Sequence, residues 1–168
     1  MENIALLGST GSIGTSSVEV LNNNLEKFRI ILLTANTNHE LLLDQCKKVN
    51  PKYAYISDKD SFIKFQQGLN KSSLSTELIG AEDELHSLLE SNQIDSVIAG
   101  IMGVSGLSLV HKSIEFGKKL LLANKESYIV AGELLNNLAK KNKSIIFPLD
   151  SEHSAIHQCI TKNKNISD

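Results

Sequence analysis

Cysteine is scarce in this sequence: Cys46 and Cys159 are the only two, far apart and with no companion at metal-ligand spacing. That excludes a disulfide framework and a structural zinc site, and leaves reduced thiols in a cytoplasmic protein as the expectation. No run approaches the roughly 20 consecutive apolar residues of a membrane span, so no membrane partner is expected. An excess of one charge is missing too. A net charge of -2 draws in neither nucleic acid nor anionic lipid, and Lys140, Lys141, Lys143, Lys162 and Lys164 read as solvated surface. Aromatics are few, and Tyr53, Tyr55, Phe62 and Phe65 read as core rather than as a platform for stacking bases. The N-terminus has an acidic second residue and a short apolar run that leads into glycines, so it reads as a strand and not as a signal peptide.

What is present fits one core. A length of 168 residues suffices for one well-buried domain and is short for two, and 41% hydrophobic with 21% charged residues is the composition of an ordinary globular chain. Residues 3–7 (NIALL) are placed like the first, fully buried strand of a parallel sheet. GSTGSIG follows at 8–14, and a helix is expected over 15–22. Glycines at 8, 11 and 14 let the backbone turn sharply and approach a ligand, and a helix start attracts phosphate. The spacing is GxxGxxG rather than the commoner GxGxxG. Its setting between a strand and a helix is what makes it a dinucleotide-site candidate.

Residues 28–34 (FRIILLT) read as the second strand, followed by a loop. A site for NAD usually carries an Asp or Glu near this point, which would repel the 2'-phosphate of NADP. Here stand Asn36, Thr37 and Asn38, all able to bond a phosphate and none negative, so NADP is the expected cofactor. A helix is read at 39–49, a strand at 53–56, and a helix at 58–67 with Phe62, Ile63 and Phe65 inward. A polar connection at 69–75, a brief strand at 77–79, a helix at 82–89 and a buried strand at 94–99 follow. Glycines return at 100–107 (GIMGVSGL), either to pass beneath a ligand or for tight helix packing. Beyond them lie a helix to about 116, a turn at Gly117, a strand at 119–122 and a helix to about 141. The alternation makes this an α/β fold, a doubly wound, mainly parallel sheet flanked by helices.

Chemistry gathers near the end. Lys125 follows a leucine run at a strand end, where a lone charge is disfavoured unless it meets a partner, although Asn124 could equally be a helix cap and Lys125 solvated. The stretch at 145–158, IIFPLDSEHSAIHQ, carries a buried strand into Asp150, Ser151 and Glu152, where a helix cap is the plain alternative. On one sheet, both segments should end at the carboxyl edge that bears the glycine loops. Two carboxylates one residue apart offer hard oxygens suited to Mg²⁺ or Mn²⁺. His153 and His157 propose zinc instead, but Ser154 stands where a zincin requires Glu. No Gly-x-Ser-x-Gly elbow supports a serine hydrolase. Cys159 is the sole nucleophile candidate on that side for a semialdehyde-type dehydrogenase.

GSTGSIG, LLANKES and PLDSEHSAIHQ together resemble the 1-deoxy-D-xylulose 5-phosphate reductoisomerase family, across the whole chain. The resemblance implies a Rossmann-like fold that binds NADPH through Thr10, Gly11, Ser12, Ile13, Asn36, Thr37, Asn38, Gly100, Ile101, Asn124 and Glu126. It implies Asp150 and Glu152 as ligands of Mg²⁺ or Mn²⁺, with Lys125, Ser151 and Glu152 at the reaction centre. The implied activity is metal-dependent isomerisation and NADPH-dependent reduction of 1-deoxy-D-xylulose 5-phosphate to 2-C-methyl-D-erythritol 4-phosphate, in a homodimer. Position 37, often basic in the family, is Thr here, so the 2'-phosphate would rely on hydroxyl, amide and backbone donors. The family's chain continues into a catalytic domain with a third carboxylate ligand and a lid. Residues 1–149 are thus expected to be the NADPH-binding domain and 150–168 the start of a truncated catalytic domain, inactive alone. An NADP-binding module without catalysis of its own, or another NADP-dependent oxidoreductase, are the alternatives.

Overall fold

The structure is a computed structural model that describes residues 1–101, 103–123 and 125–149, with the backbone alone at 104 and 125–128. Seven strands form one wholly parallel sheet: β1 (Glu2–Leu7), β2 (Phe28–Ala35), β3 (Tyr53–Ile56), β4 (Glu77–Leu78), β5 (Ser96–Ala99), β6 (Lys119–Leu122) and β7 (Ile146–Pro148). Their order across the sheet is β4-β3-β2-β1-β5-β6-β7. Six α-helices connect them: α1 (Ser12–Asn22), α2 (His39–Val49), α3 (Lys59–Asn70), α4 (Glu82–Glu90), α5 (Leu107–Glu115) and α6 (Lys125–Asn142). A 3-10 turn at Val104–Gly106 leads into α5. The expected α/β class and parallel order hold.

Burial on both faces explains why the central strands read as unbroken apolar runs. Alternate residues point to opposite sides. Ile4, Leu6 and Leu33 pack with Val18, Leu21, Leu42, Cys46 and Phe65 from α1, α2 and α3. Ala5, Leu7 and Leu32 pack with Leu85, Leu89, Val110, Ile114 and Leu135 from α4, α5 and α6. Helices α2 and α3 begin on side-chain caps: Asn38 accepts from the Leu41 amide at 3.1 Å and Asp58 from the Ser61 amide at 2.9 Å. The Ser61 bonds hold the Asp58 carboxyl below its ordinary pKa. Helix α2 stops at Asn50, which turns left-handed (φ 44°) before Pro51.

Some expectations are corrected. Helix α3 runs on to Asn70, so Leu69 is a buried helical residue rather than part of a polar connection. Ile63 is 54% exposed instead of inward, because it lies two residues, about 200°, from the fully buried Phe65 and so on the opposite side of the helix. Ile94 is buried but precedes β5, which starts at Ser96.

At the amino edge of the sheet, the Ser96 hydroxyl and the Lys119 ammonium (3.1 Å) both donate to the Glu2 carboxylate. The hydroxyl, against an opposing effect of burial and helped by Lys119, holds the Glu2 carboxyl below its ordinary pKa. A carboxyl depressed in the folded state adds stability that is whole above the unfolded value and is lost as pH falls through the folded one. Thermal unfolding followed from pH 7 to pH 3 should therefore show Glu2→Gln less stable than wild type at pH 7, with the gap closing below about pH 4. A gap independent of pH would remove this role from Glu2.

Candidate functional site

The winding reverses between β1 and β5: α1 leaves β1 toward one face, and α5 after β5 lies on the other. A crevice opens between two such strands at their carboxyl ends. Gly8 there takes φ +77°, and a Cβ on it would lie 3.0 Å from both the Ile101 amide nitrogen and the Ile101 side chain. A Cβ on Gly100 would lie 3.2 Å from the Leu7 carbonyl oxygen. Helix α1 starts at Ser12, three residues earlier than the sequence pattern led one to expect. Gly14 therefore sits inside its first turn, where a Cβ would lie 2.2 Å from the Gly8 carbonyl oxygen. Its work is to let the helix close onto the turn, whereas the sequence reading gave it the role of a ligand approach.

The turn is held from outside. Thr34, at the end of β2, accepts the Gly8 amide on its hydroxyl at 2.9 Å and the Ser9 amide on its carbonyl at 2.8 Å. Gln45, on α2, donates its side-chain amide to the Ser9 carbonyl at 2.7 Å. Gly11 closes the turn by donating to the Gly8 carbonyl at 3.2 Å. The amides of Thr10, Ser12 and Ile13 find no backbone acceptor among the described residues, Gly11 supplies no side-chain cap, and the first turn of α1 holds no acidic residue. Those unpaired donors and the positive end of the helix dipole favour an anion.

Asn36, Thr37 and Asn38 lie exposed beside this turn, just past the carboxyl end of β2. The Asn36 amide oxygen accepts from the Ser57 hydroxyl at 2.8 Å, and the Asn38 amide oxygen caps α2. With both oxygens committed, each NH2 group remains a donor, alongside the Thr37 hydroxyl.

Strands β6 and β7 end at the same edge, shortly before the remaining candidates in the sequence. The Ala123 amide donates to the Ala99 carbonyl at 3.1 Å, and α6 starts at Lys125. On the next strand the Leu149 amide donates to the Leu122 carbonyl at 2.9 Å, one residue before Asp150. The backbone thus places Lys125 near the end of β6, as expected. The side chains of Lys125 and Glu126, and all of Asn124, Asp150, Ser151, Glu152, His153, His157 and Cys159, lie outside what is described. Among the described residues no cluster of three or more His, Cys, Asp or Glu could hold a metal. Nor is any described helix long and apolar enough to cross a membrane.

The sequence reading passed over Thr34, Gln45 and Lys118. The signal for Gln45 was a polar residue on the inner stripe of α2, between the buried Leu42, Cys46 and Val49. Lys118 is buried and gives its ammonium to the carbonyls of Ser91 (2.7 Å) and Ile94 (2.9 Å), with burial lowering its pKa. It precedes β6 at the opposite edge from the glycine turn, so it is structural. Burial pushes the Cys46 thiol up to about 12, which leaves it inert as a nucleophile.

The model of the family described as 1-deoxy-D-xylulose 5-phosphate reductoisomerase matches residues 4–132. The chain belongs to this family. The reductoisomerase of Saccharophagus degradans is 41% identical over 95% of the chain, which spans 41% of that relative. A Zymomonas mobilis reductoisomerase solved in complex with NADPH superposes with a TM-score of 0.86 at 35% identity, over 94% of this chain and 41% of that one. Another, solved with NADPH, fosmidomycin and magnesium, gives 0.88 at 34% identity, over 95% and 39%. The chain thus spans about two fifths of the length of the reductoisomerases it matches, and its sheet is the Rossmann-like sheet of that family.

Proposed function

We propose that residues 1–149 are the NADPH-binding domain of a 1-deoxy-D-xylulose 5-phosphate reductoisomerase and that 150–168 open its catalytic domain. The observation that carries this reading is the turn at 8–14: a strand end and a helix start joined so closely that side chains on Gly8 and Gly14 would collide, with three amides left unpaired at an uncapped helix. Such a cradle fits a pyrophosphate.

In this reading the amides of Thr10, Ser12 and Ile13, next to Gly11, receive the pyrophosphate. The donors of Asn36, Thr37 and Asn38 take the 2'-phosphate, and Gly100 and Ile101 lie under the nicotinamide half, with Asn124 and Glu126 beside it. Bound there, NADPH supplies the hydride that reduces the rearranged sugar phosphate. The protein's share is to fix the cofactor's position over the substrate, to keep water away, and to steady developing negative charge with Lys125. Asp150 and Glu152 are the proposed ligands of Mg²⁺ or Mn²⁺ and Ser151 a substrate contact, on the strength of the DSE motif and of relatives solved with magnesium. A cytoplasmic homodimer is the proposed state of the full-length enzyme.

Titrating the purified chain with NADPH and NADH by cofactor fluorescence tests this. NADPH should bind at least tenfold more tightly than NADH, and NADPH should not be consumed when 1-deoxy-D-xylulose 5-phosphate and Mg²⁺ are added. Equal affinities would overturn the role given to the loop at 36–38, and turnover would overturn the reading of these residues as a cofactor domain inactive alone.

A further inference from the structure

The strangest buried residue of this fold is a glutamine. Gln45 is 4% exposed and stands on the apolar inner stripe of α2, where Leu42, Cys46 and Val49 are its neighbours in the helical repeat. Only half of its amide is used: the NH2 group donates to the Ser9 carbonyl at 2.7 Å, while the oxygen has no partner among the described residues. The Ser9 hydroxyl, also fully buried, has none among them either. Leucine at 45 would avoid the unmet amide oxygen but would leave the buried Ser9 carbonyl without its donor. What Gln45 does is hold that one backbone carbonyl.

That carbonyl fixes a direction. In a trans peptide the C=O and the following N–H lie in one plane and point opposite ways, and the chain has no cis peptide bond. With the Ser9 oxygen drawn toward α2, the amide of Thr10 must point away from α2. It finds no backbone acceptor among the described residues. The Ser9 amide, in the preceding peptide plane, is tied to the Thr34 carbonyl at 2.8 Å, so the planes on both sides of Ser9 are each held by one bond. We infer that Gln45 is a positioning residue for the cofactor. By holding the Ser9 carbonyl it keeps the Thr10 amide aimed at the site of the pyrophosphate, so that this donor is in place before the ligand arrives. Preorganisation of this kind raises affinity because no ordering remains to be done on binding.

The inference rests on the proposal that the glycine turn binds NADPH, and two ligands separate it from that proposal. 2'-AMP reaches the loop at 36–38 but carries no pyrophosphate, whereas NADPH engages both places. Gln45→Met keeps the volume and the apolar surroundings and removes the donor. Binding of both ligands to the wild-type chain and to the variant is followed by NMR and fluorescence. The expected result is at least a tenfold loss of NADPH affinity with 2'-AMP affinity unchanged, together with a displaced Thr10 amide resonance in the free variant. A parallel loss for both ligands would mean that Gln45 only supports the fold of α2 and would overturn the inference. Unchanged NADPH binding would overturn it as well. If the wild-type chain binds no NADPH, the cofactor proposal fails and takes this one with it. Should the variant not fold, the wild type decides. Adding NADPH must move the Thr10 amide proton downfield more than its neighbours, as a new bond to phosphate requires, and a Thr10 amide that stays put refutes the role.

Discussion

Gly14→Ala is expected to abolish measurable NADPH binding and to lower the stability of the fold by about 3 kcal/mol. Two effects oppose each other. Alanine is the better helix former by about 1 kcal/mol in a helix interior. Against that, its Cβ would lie 2.2 Å from the Gly8 carbonyl oxygen and 2.5 Å from both the Ser9 carbonyl carbon and oxygen, which are backbone atoms with no rotamer to move into. Relief requires α1 to back away from the turn, and that movement carries the Ser12 and Ile13 amides off the position where they meet Thr10. The steric effect therefore wins. Urea unfolding and an NADPH titration of the variant measure the two consequences. A variant about 1 kcal/mol more stable than wild type would show that propensity decides at this position and that the helix does not seat on the turn.

Asn38→Asp is expected to weaken NADPH binding by about 10- to 100-fold, to leave NADH binding nearly unchanged, and to leave the fold intact. Asn and Asp are about equally good helix caps, and a carboxylate at a helix start interacts favourably with the dipole, so α2 keeps its first turn. What changes is the charge beside the proposed 2'-phosphate. Two unit charges about 4 Å apart repel by roughly 1 kcal/mol in water and about 4 kcal/mol at the effective dielectric of a protein surface, which brackets the expected loss. Salt should lessen it. Parallel titrations with NADPH and NADH at two ionic strengths give the answer. Loss of both cofactors by the same factor would place the 2'-phosphate somewhere other than this loop.

Most of the architecture could be read from the residues because parallel strands buried on both faces announce themselves. NIALL, FRIILLT and KLLL have no polar face to confuse with a helix. The start of α1 was misjudged for a physical reason: glycines at 11 and 14 look like turn residues, but Gly14 is demanded by packing from within a helix. Ile63 was misplaced because three large apolar residues within four positions cannot all share one helical face. The residues that hold the turn were illegible for a different reason. Thr34 and Gln45 lie 26 and 36 residues from the groups they bind, and only the sheet order brings them there. Of the candidate site, the glycine turn packs against Gly100 and Ile101, and the loop at 36–38 follows the carboxyl end of the neighbouring strand β2.

The last strand has a consequence for how copies of this protein treat one another. Odd-numbered positions of β7 and its flanks face β6: the Ile145 carbonyl accepts from Leu120, and the Leu149 amide donates to Leu122. The backbone groups of Ile146 and Pro148 therefore face away from β6, where no strand is paired with them among the described residues. Proline has no N–H to offer, so of the two outward donors only that of Ile146 exists. The far margin, β4, is two residues long. Among the described residues, a sheet whose interior is almost wholly aliphatic thus has margins that are short, and on one side poor in donors, which makes them weak templates for a foreign strand.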